Sequence, residues 1–400
     1  MRRTIITALM AVIFGVLACF TFLVLEPVFT NLLHPEQEAN LVVIPEDTDE
    51  ILPEDMKLEE EAQTTIKVIE KNTSINPVKI YEQQYEQIYE VAQLSLKSIV
   101  TLTSAKQDTD WFDNEYESKG TSTALYVANN GKEFLFLAYT DKIVNAENIT
   151  VTFYDGTTSK GVIKQSDANT GLSIVSVLRD DVPLPTKNNV NPATLANSKV
   201  SNILASPVIA IGRPYGNTES VAYGILASKS GSANLQDQNY QILTTDIYGS
   251  RYANGVIVNI RGEVLGIIDQ KYSSEECPNL ITALGISDLK RTIERMSNDK
   301  EQACLGIIGT DVNDEINESL GVPKGAFVTN IVIGSPAMNA GIQSGDIIVK
   351  IDKTEILSYS GLTNCLNMYT PDTTVNVSLK RQSGDSYQDM DVEVTLRKAE

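Results

Sequence analysis

Ala340-Gly341-Ile342-Gln343-Ser344-Gly345-Asp346-Ile347-Ile348 is the most telling stretch of this 400-residue chain. It reads as the close of a short helix at Ala340-Gly341, a Gly345-Asp346 turn, and a strand that starts at Ile347. Just upstream, Gly334-Ser335-Pro336-Ala337 has the form of a helix start, and Gly325-Ala326-Phe327-Val328 reads as the strand before it. Working outward, strands are predicted near Cys304–Ile308, Ala326–Ile331, Ile347–Ile351, Val375–Arg381 and Asp391–Leu396. Short helices are predicted near Ala337–Ala340 and Tyr359–Met368. Together these make a domain of ordinary size, separated from what precedes it by the linker-like Asn298-Asp299-Lys300-Glu301.

The region before that linker is built from many short strands. Ser98–Thr103, Ala124–Ala128, Phe134–Ala138, Ile149–Tyr154 and Leu172–Leu178 are strand-like runs parted by turns such as Asn129-Asn130-Gly131 and Asp155-Gly156. The series continues at Val208–Ile211, Val221–Ser228, Gln241–Thr244, Val256–Asn259 and Val264–Ile268. Strands at this spacing predict a barrel or sandwich. Helices bracket the series. Tyr81, Tyr85, Ile88, Tyr89 and Ala92 recur on one face of a helix over Ile80–Leu96, and a second helix spans Ile286–Met296.

The amino-terminal part has a different character. Thr4–Leu25 is uncharged and apolar and follows Arg2-Arg3; at about 1.5 Å per residue such a run can cross a hydrocarbon core of roughly 30 Å. The arginines favour the cytoplasmic side, so the bulk of the chain is expected outside a cell membrane. A cleaved signal peptide is one alternative. Lipoprotein processing at Cys19, within Val16-Leu17-Ala18-Cys19, is another. Residues 26–79 are read as an acidic, self-repelling stalk that includes Glu46, Asp47, Asp49, Glu50, Glu54, Asp55, Glu59, Glu60 and Glu61.

Composition narrows the function classes. The chain carries 32 basic and 52 acidic residues, a formal charge of −20, which argues against nucleic acid as a partner. With one histidine and four scattered cysteines, it offers no zinc-finger or histidine-rich metal set, and no metal or cofactor is expected. The histidine, His34, falls in the juxtamembrane stretch and not among the strands. Cys277, Cys304 and Cys365 lie beyond the apolar run, an odd number; a Cys277–Cys304 bridge and three unpaired thiols are both open.

On the residues quoted first, the carboxy-terminal region resembles a PDZ domain. The strand region resembles the trypsin-like double β-barrel of the HtrA/DegP family in Val208-Ile209-Ala210-Ile211-Gly212-Arg213-Pro214-Tyr215-Gly216, in Val221–Ser228 and in Gly262-Glu263-Val264-Leu265-Gly266-Ile267. The implied organisation is a cytoplasmic tail at 1–3, a transmembrane helix at 4–25, the stalk at 26–79, a protease-like domain at 80–297 and a PDZ domain at 303–398. The resemblance also implies a homo-oligomer, a trimer by family habit.

The catalytic positions implied by that resemblance are altered. Asp141 stands at the place of the triad histidine, Gly171 at that of the aspartate, and Ala253 at that of the serine. A serine needs a base to take its proton, and the barrel region holds no histidine. Gly255 remains beside the serine position, while Val256 and Asn254 stand where the family has proline and glycine. No catalytic residue is therefore expected. The alternative is a rearranged serine endopeptidase with Ser250 as nucleophile and a lysine such as Lys142 as base.

The PDZ features are better kept. Leu305-Gly306-Ile307 follows Cys304 at the turn whose amides hold a peptide carboxylate in such domains. Leu362 and Leu366, four residues apart, are candidates for the side-chain pocket, with domain core as the equal alternative. The resulting expectation is a membrane-anchored, proteolytically inactive scaffold or sensor. It would bind peptide C-termini or unfolded segments in envelope protein quality control.

Overall fold

Short strands with mostly continuous buried runs, parted by turns, close into two barrels. The computed structural model describes residues 39–47, 77–109, 115–143, 148–216, 219–312, 314–384 and 386–399. The predicted transmembrane run, His34 and most of the stalk lie outside them. No helix among the described residues is long and apolar enough to cross a membrane.

Helix α1 (Pro77–Leu96) leads into β1 (Ile99–Thr109), β2 (Glu115–Asn129), β3 (Glu133–Tyr139), β4 (Asn148–Thr152), β5 (Thr158–Asp167) and β6 (Leu172–Leu178). These six close in the order β1-β2-β3-β6-β5-β4. After the single-turn α2 (Leu184–Lys187) come β7 (Pro207–Arg213), β8 (Ser220–Leu235), β9 (Gln238–Tyr248), β10 (Asn254–Asn259), β11 (Val264–Ile268) and β12 (Leu280–Gly285). They close in the order β10-β11-β12-β9-β8-β7. β6 is buried over six of its seven positions, as a strand facing the barrel interior on one side and a second layer on the other must be. Phe136, Tyr126 and Phe134 fill the first barrel, with ring centroids 5.2 Å apart in both Tyr126 pairs.

Helix α3 (Ile286–Ser297) buries Ile286, Leu289, Ile293 and Met296 along one face. Its other face meets residues of the stretch read as a solvated stalk. Val42 is buried, and its amide donates to Asn298 Oδ1 at 2.8 Å. The Ile44 amide donates to Glu294 Oε2 at 2.9 Å, Lys290 Nζ lies 2.5 Å from Asp47, and Arg291 pairs with Glu46. The acidic segment therefore folds where basic residues on α3 neutralise it, rather than extending through self-repulsion over its whole length. Arg295 reaches the buried Asp167 at 2.6 Å and ties the same helix to the first barrel.

The last region contains β13 (Ala303–Cys304), β14 (Ile307–Asp311), α4 (Asp314–Leu320), β15 (Ala326–Ile331), α5 (Pro336–Asn339), β16 (Ile347–Ile351), β17 (Thr354–Glu355), α6 (Tyr359–Leu366), β18 (Thr374–Ser383), β19 (Ser386–Thr395) and β20 (Arg397–Lys398). Its main sheet runs β14-β15-β16-β18-β19, so β14 is an edge, and β13 pairs with β20. Ser335 caps α5 through the Met338 amide, and Pro336 sits at its first turn. The Gly345-Asp346 turn is held by Arg381, whose guanidinium meets both Asp346 carboxylate oxygens at 2.7 Å. Cys277, Cys304 and Cys365 are all free thiols.

Candidate functional site

The first candidate is the cleft between the barrels. β3 ends in a 3-10 turn, Thr140–Lys142, and the Thr140 amide donates to Gly171 O at 2.7 Å. Asp141 and Gly171 are thus brought to one place, with Asp141 exposed. Gly171 has φ +70°, and a Cβ built there would lie 3.4 Å from Lys271 Nζ. A lysine ammonium thus borders the position of Gly171. Lys271 also lies 5.8 Å from the centroid of the Tyr139 ring. Beside it, Asp269 accepts a bond from the Lys271 amide at 3.0 Å. Burial pushes the Asp269 carboxyl above its ordinary range, against the pull of that amide and of the Lys271 charge. Burial, reinforced by the Asp269 charge, pushes the Tyr139 hydroxyl far up as well.

Across the cleft, Ala253 is buried and its amide donates to Ser250 O at 2.9 Å. Ser250 Oγ accepts from the Tyr252 amide at 3.1 Å, so this hydroxyl caps its own loop. Among the described residues no other hydrogen bond reaches it, and the side chain of Lys142 lies outside them. β10 begins at Asn254, whose Oδ1 accepts from the Thr123 amide at 3.0 Å and joins the second barrel to the first. Gly255 (φ +129°) lies against Gly212; a Cβ on Gly255 would sit 2.1 Å from Ile211 O. The segment after Ala253 is therefore committed to the strand ladder with β7.

The second candidate is the turn between β13 and β14. Here the amides of Leu305, Gly306 and Ile307 converge on one carboxylate, and it belongs to this chain. Asp237 Oδ2 accepts from Leu305 N at 2.8 Å and Gly306 N at 2.9 Å. Asp237 Oδ1 accepts from Gly306 N and Ile307 N, each at 3.0 Å. Asp237 is 3% exposed. Burial raises its pKa from the ordinary value, and the amide bonds oppose that rise.

The hairpin between β8 and β9 delivers this side chain. Leu235 and Gln238 pair, leaving Gln236 and Asp237 as a two-residue loop. Asp237 takes φ +58°, a conformation aspartate tolerates better than most residues. The Asp237 amide donates to Ile307 O at 2.8 Å, and Thr363 Oγ1 on α6 donates to Asp237 O at 2.7 Å. Asn239 Nδ2 reaches Gly309 O on β14 at 3.1 Å, and Gln236 Nε2 reaches Cys304 Sγ at 2.6 Å. Leu305, Ile307, Leu362 and Leu366 are all buried in one apolar cluster with Val328 and Ala337, so Leu362 and Leu366 are core residues here.

The sequence singles out Leu305, Gly306 and Ile307, whose amides converge on one carboxylate, but does not point to Asp237, Thr363 or Lys271. No local pattern marks them; each acts on a segment far away in the chain, 68 to 70 residues for Asp237.

Two six-stranded antiparallel barrels with a cleft between them, followed by a sheet whose edge strand and helix frame a carboxylate cradle, define a class: a peptidase-type double barrel joined to a peptide-recognition module. Residues 120–267 match the trypsin-like peptidase domain model and residues 303–395 the PDZ domain model. The chain is 28% identical over 287 residues to a probable periplasmic serine endoprotease, DegP-like, of Hahella chejuensis, covering 70% of this chain and 57% of that one. It is 25% identical over 282 residues to the serine protease Do-like HtrA of Lactococcus lactis subsp. cremoris, covering 65% and 67%. The fold matches the HtrA-type protease AlgW with decapeptide at a TM-score of 0.56 and 19% identity, over 78% of this chain and 98% of that one. The chain thus carries a trypsin-like peptidase domain followed by a PDZ domain, and it is similar to DegP- and HtrA-type serine proteases. It spans about half the length of several of the curated relatives it matches.

Proposed function

We propose that this protein is a membrane-anchored HtrA-like scaffold or sensor of the cell envelope, binding peptide C-termini through its PDZ domain without hydrolysing them. The observation that carries the binding reading is the cradle itself. Three successive amides, Leu305, Gly306 and Ile307, hold a carboxylate with no cationic side chain needed. A peptide terminus presents the same group, and the edge strand β14 offers carbonyls for strand addition.

Absence of hydrolysis is supported by the cleft. A catalytic imidazole needs a carboxylate to stabilise its charged form, and Lys271 puts a cation beside Gly171. Ala253 has no hydroxyl, and the Ser250 oxygen is turned to the Tyr252 amide. The relatives titled serine endoproteases favour a second reading, an endopeptidase using Ser250. The two separate in one experiment on the full chain in detergent. With fluorescent casein and a serine-directed phosphonate, the scaffold reading expects neither cleavage nor a covalent adduct. Cleavage that disappears in Ser250→Ala would establish the endopeptidase instead. Homo-oligomerisation belongs to the same proposal and is read by light scattering.

A further inference from the structure

We infer that Asp237 is a resident ligand of the PDZ cradle, a side-chain copy of a peptide C-terminus that an incoming peptide must displace. The inference rests on the peptide-binding reading above and adds what keeps that site closed. Two features of a docking C-terminus are reproduced by this one residue. Its carboxylate takes all three cradle amides at 2.8–3.0 Å. Its backbone amide donates to Ile307 O on the edge strand at 2.8 Å. Thr363 from α6 closes over the backbone carbonyl, so the hairpin lies between β14 and the helix, where an added strand would run.

The contact is built, not incidental. Asp237 is almost wholly buried, and its left-handed φ aims the side chain out of the hairpin loop. Gly306 has φ +87°, and a Cβ there would come within 2.2 Å of Ser335 Cβ, so the cradle backbone has little room to adjust. The flanking Gln236–Cys304 and Asn239–Gly309 bonds extend the seal on both sides. A tethered competitor acts at an effective concentration on the order of millimolar, and the apparent affinity for a free peptide falls by the fraction of time the cradle is open. The ligand class that competes is a chain end with a free carboxylate.

The hairpin belongs to the second barrel, so capture of a peptide and release of the PDZ domain from that barrel are one event. The test uses the full chain in detergent and a fluorescent decapeptide library with Val, Leu or Phe at a free C-terminus, alongside its C-terminally amidated counterpart. Two variants are compared with the unaltered chain. Asp237→Gly removes the carboxylate without straining φ +58°, and Asp237→Asn keeps the shape while bringing N–H groups against the cradle amides. Both variants are expected to bind the free-carboxylate library at least about tenfold more tightly than the unaltered chain, and to ignore the amidated one. Amide exchange at Leu305, Gly306 and Ile307 is expected to speed up in both, with barrel protection unchanged, which separates an open groove from a misfolded protein. Equal affinity in all three proteins would overturn the inference while leaving peptide binding standing. No binding by any of them, with the barrels intact, would overturn the peptide-binding reading and the inference with it.

Discussion

Lys271 brings its ammonium to 3.4 Å from the place where a side chain on Gly171 would begin, next to the carboxylate of Asp269. A cation there lowers the basicity of any imidazole brought beside it, so restoring a histidine alone would not restore a base. Gly306 shows the opposite case, a residue whose absence of a side chain is required. Its φ of +87° and the 2.2 Å approach of a Cβ to Ser335 leave no room for alanine. Gly306→Ala is expected to destabilise the fold around the cradle by about 2–4 kcal/mol, read as a fall in the denaturant midpoint followed by circular dichroism. A loss under about 0.5 kcal/mol, typical of a neutral surface change, would mean the cradle backbone can relax around a methyl group.

At the level of elements, α3 works as a clamp. Lys290 is buried against Asp47 and Arg295 against Asp167, so one helix holds the segment before α1 and the end of β5. Lys290→Ala leaves Asp47 without its partner and is expected to cost about 1–3 kcal/mol. Cleavage within Leu41–Ile44 by thermolysin, which cuts before apolar residues, should become faster in the same variant; unchanged proteolysis would show that the bonds to Asn298 and Glu294 suffice. Regular elements were legible where short apolar runs lie between turns: Val264–Ile268 and Ala326–Ile331 are strands over those same residues. β5 was not, because Lys160, Lys164 and Gln165 make it polar and a bulge between Ile163 and Gln165 breaks its period. The β8–β9 hairpin was hidden for another reason. Its loop residues, Gln236 and Asp237, contain no glycine to mark a turn, and β9 starts four residues before the first apolar pair, Ile242-Leu243, that announces it. The cradle turn was readable from Leu305-Gly306-Ile307, but its occupant was not, since pairing distant segments is the step that local patterns leave out.

On the scale of the whole molecule, from Leu41 onward the barrels and the PDZ domain fold as one compact unit. The seam between them is polar and specific: a carboxylate on three amides, a threonine on a carbonyl, an amide side chain on a sulfur. Such a seam is satisfied when closed and hydrates readily when open, which suits a joint that must part. The sulfur in it has a further use. Cys304 is buried, and desolvation together with the Asp237 charge pushes its thiol up to about 12, while Cys277 is exposed. Thiolate, not thiol, reacts with maleimide. With Cys19 and Cys365 replaced by alanine, the full chain should therefore take one label quickly at Cys277 and a second at Cys304 only as fast as the seam separates. Saturating peptide should raise that slow rate, and Asp237→Gly should raise it without peptide. A rate at Cys304 that ignores both would mean that the thiol is reached through local breathing alone. The chain thus carries its own stopwatch for domain separation, set in the joint it would time.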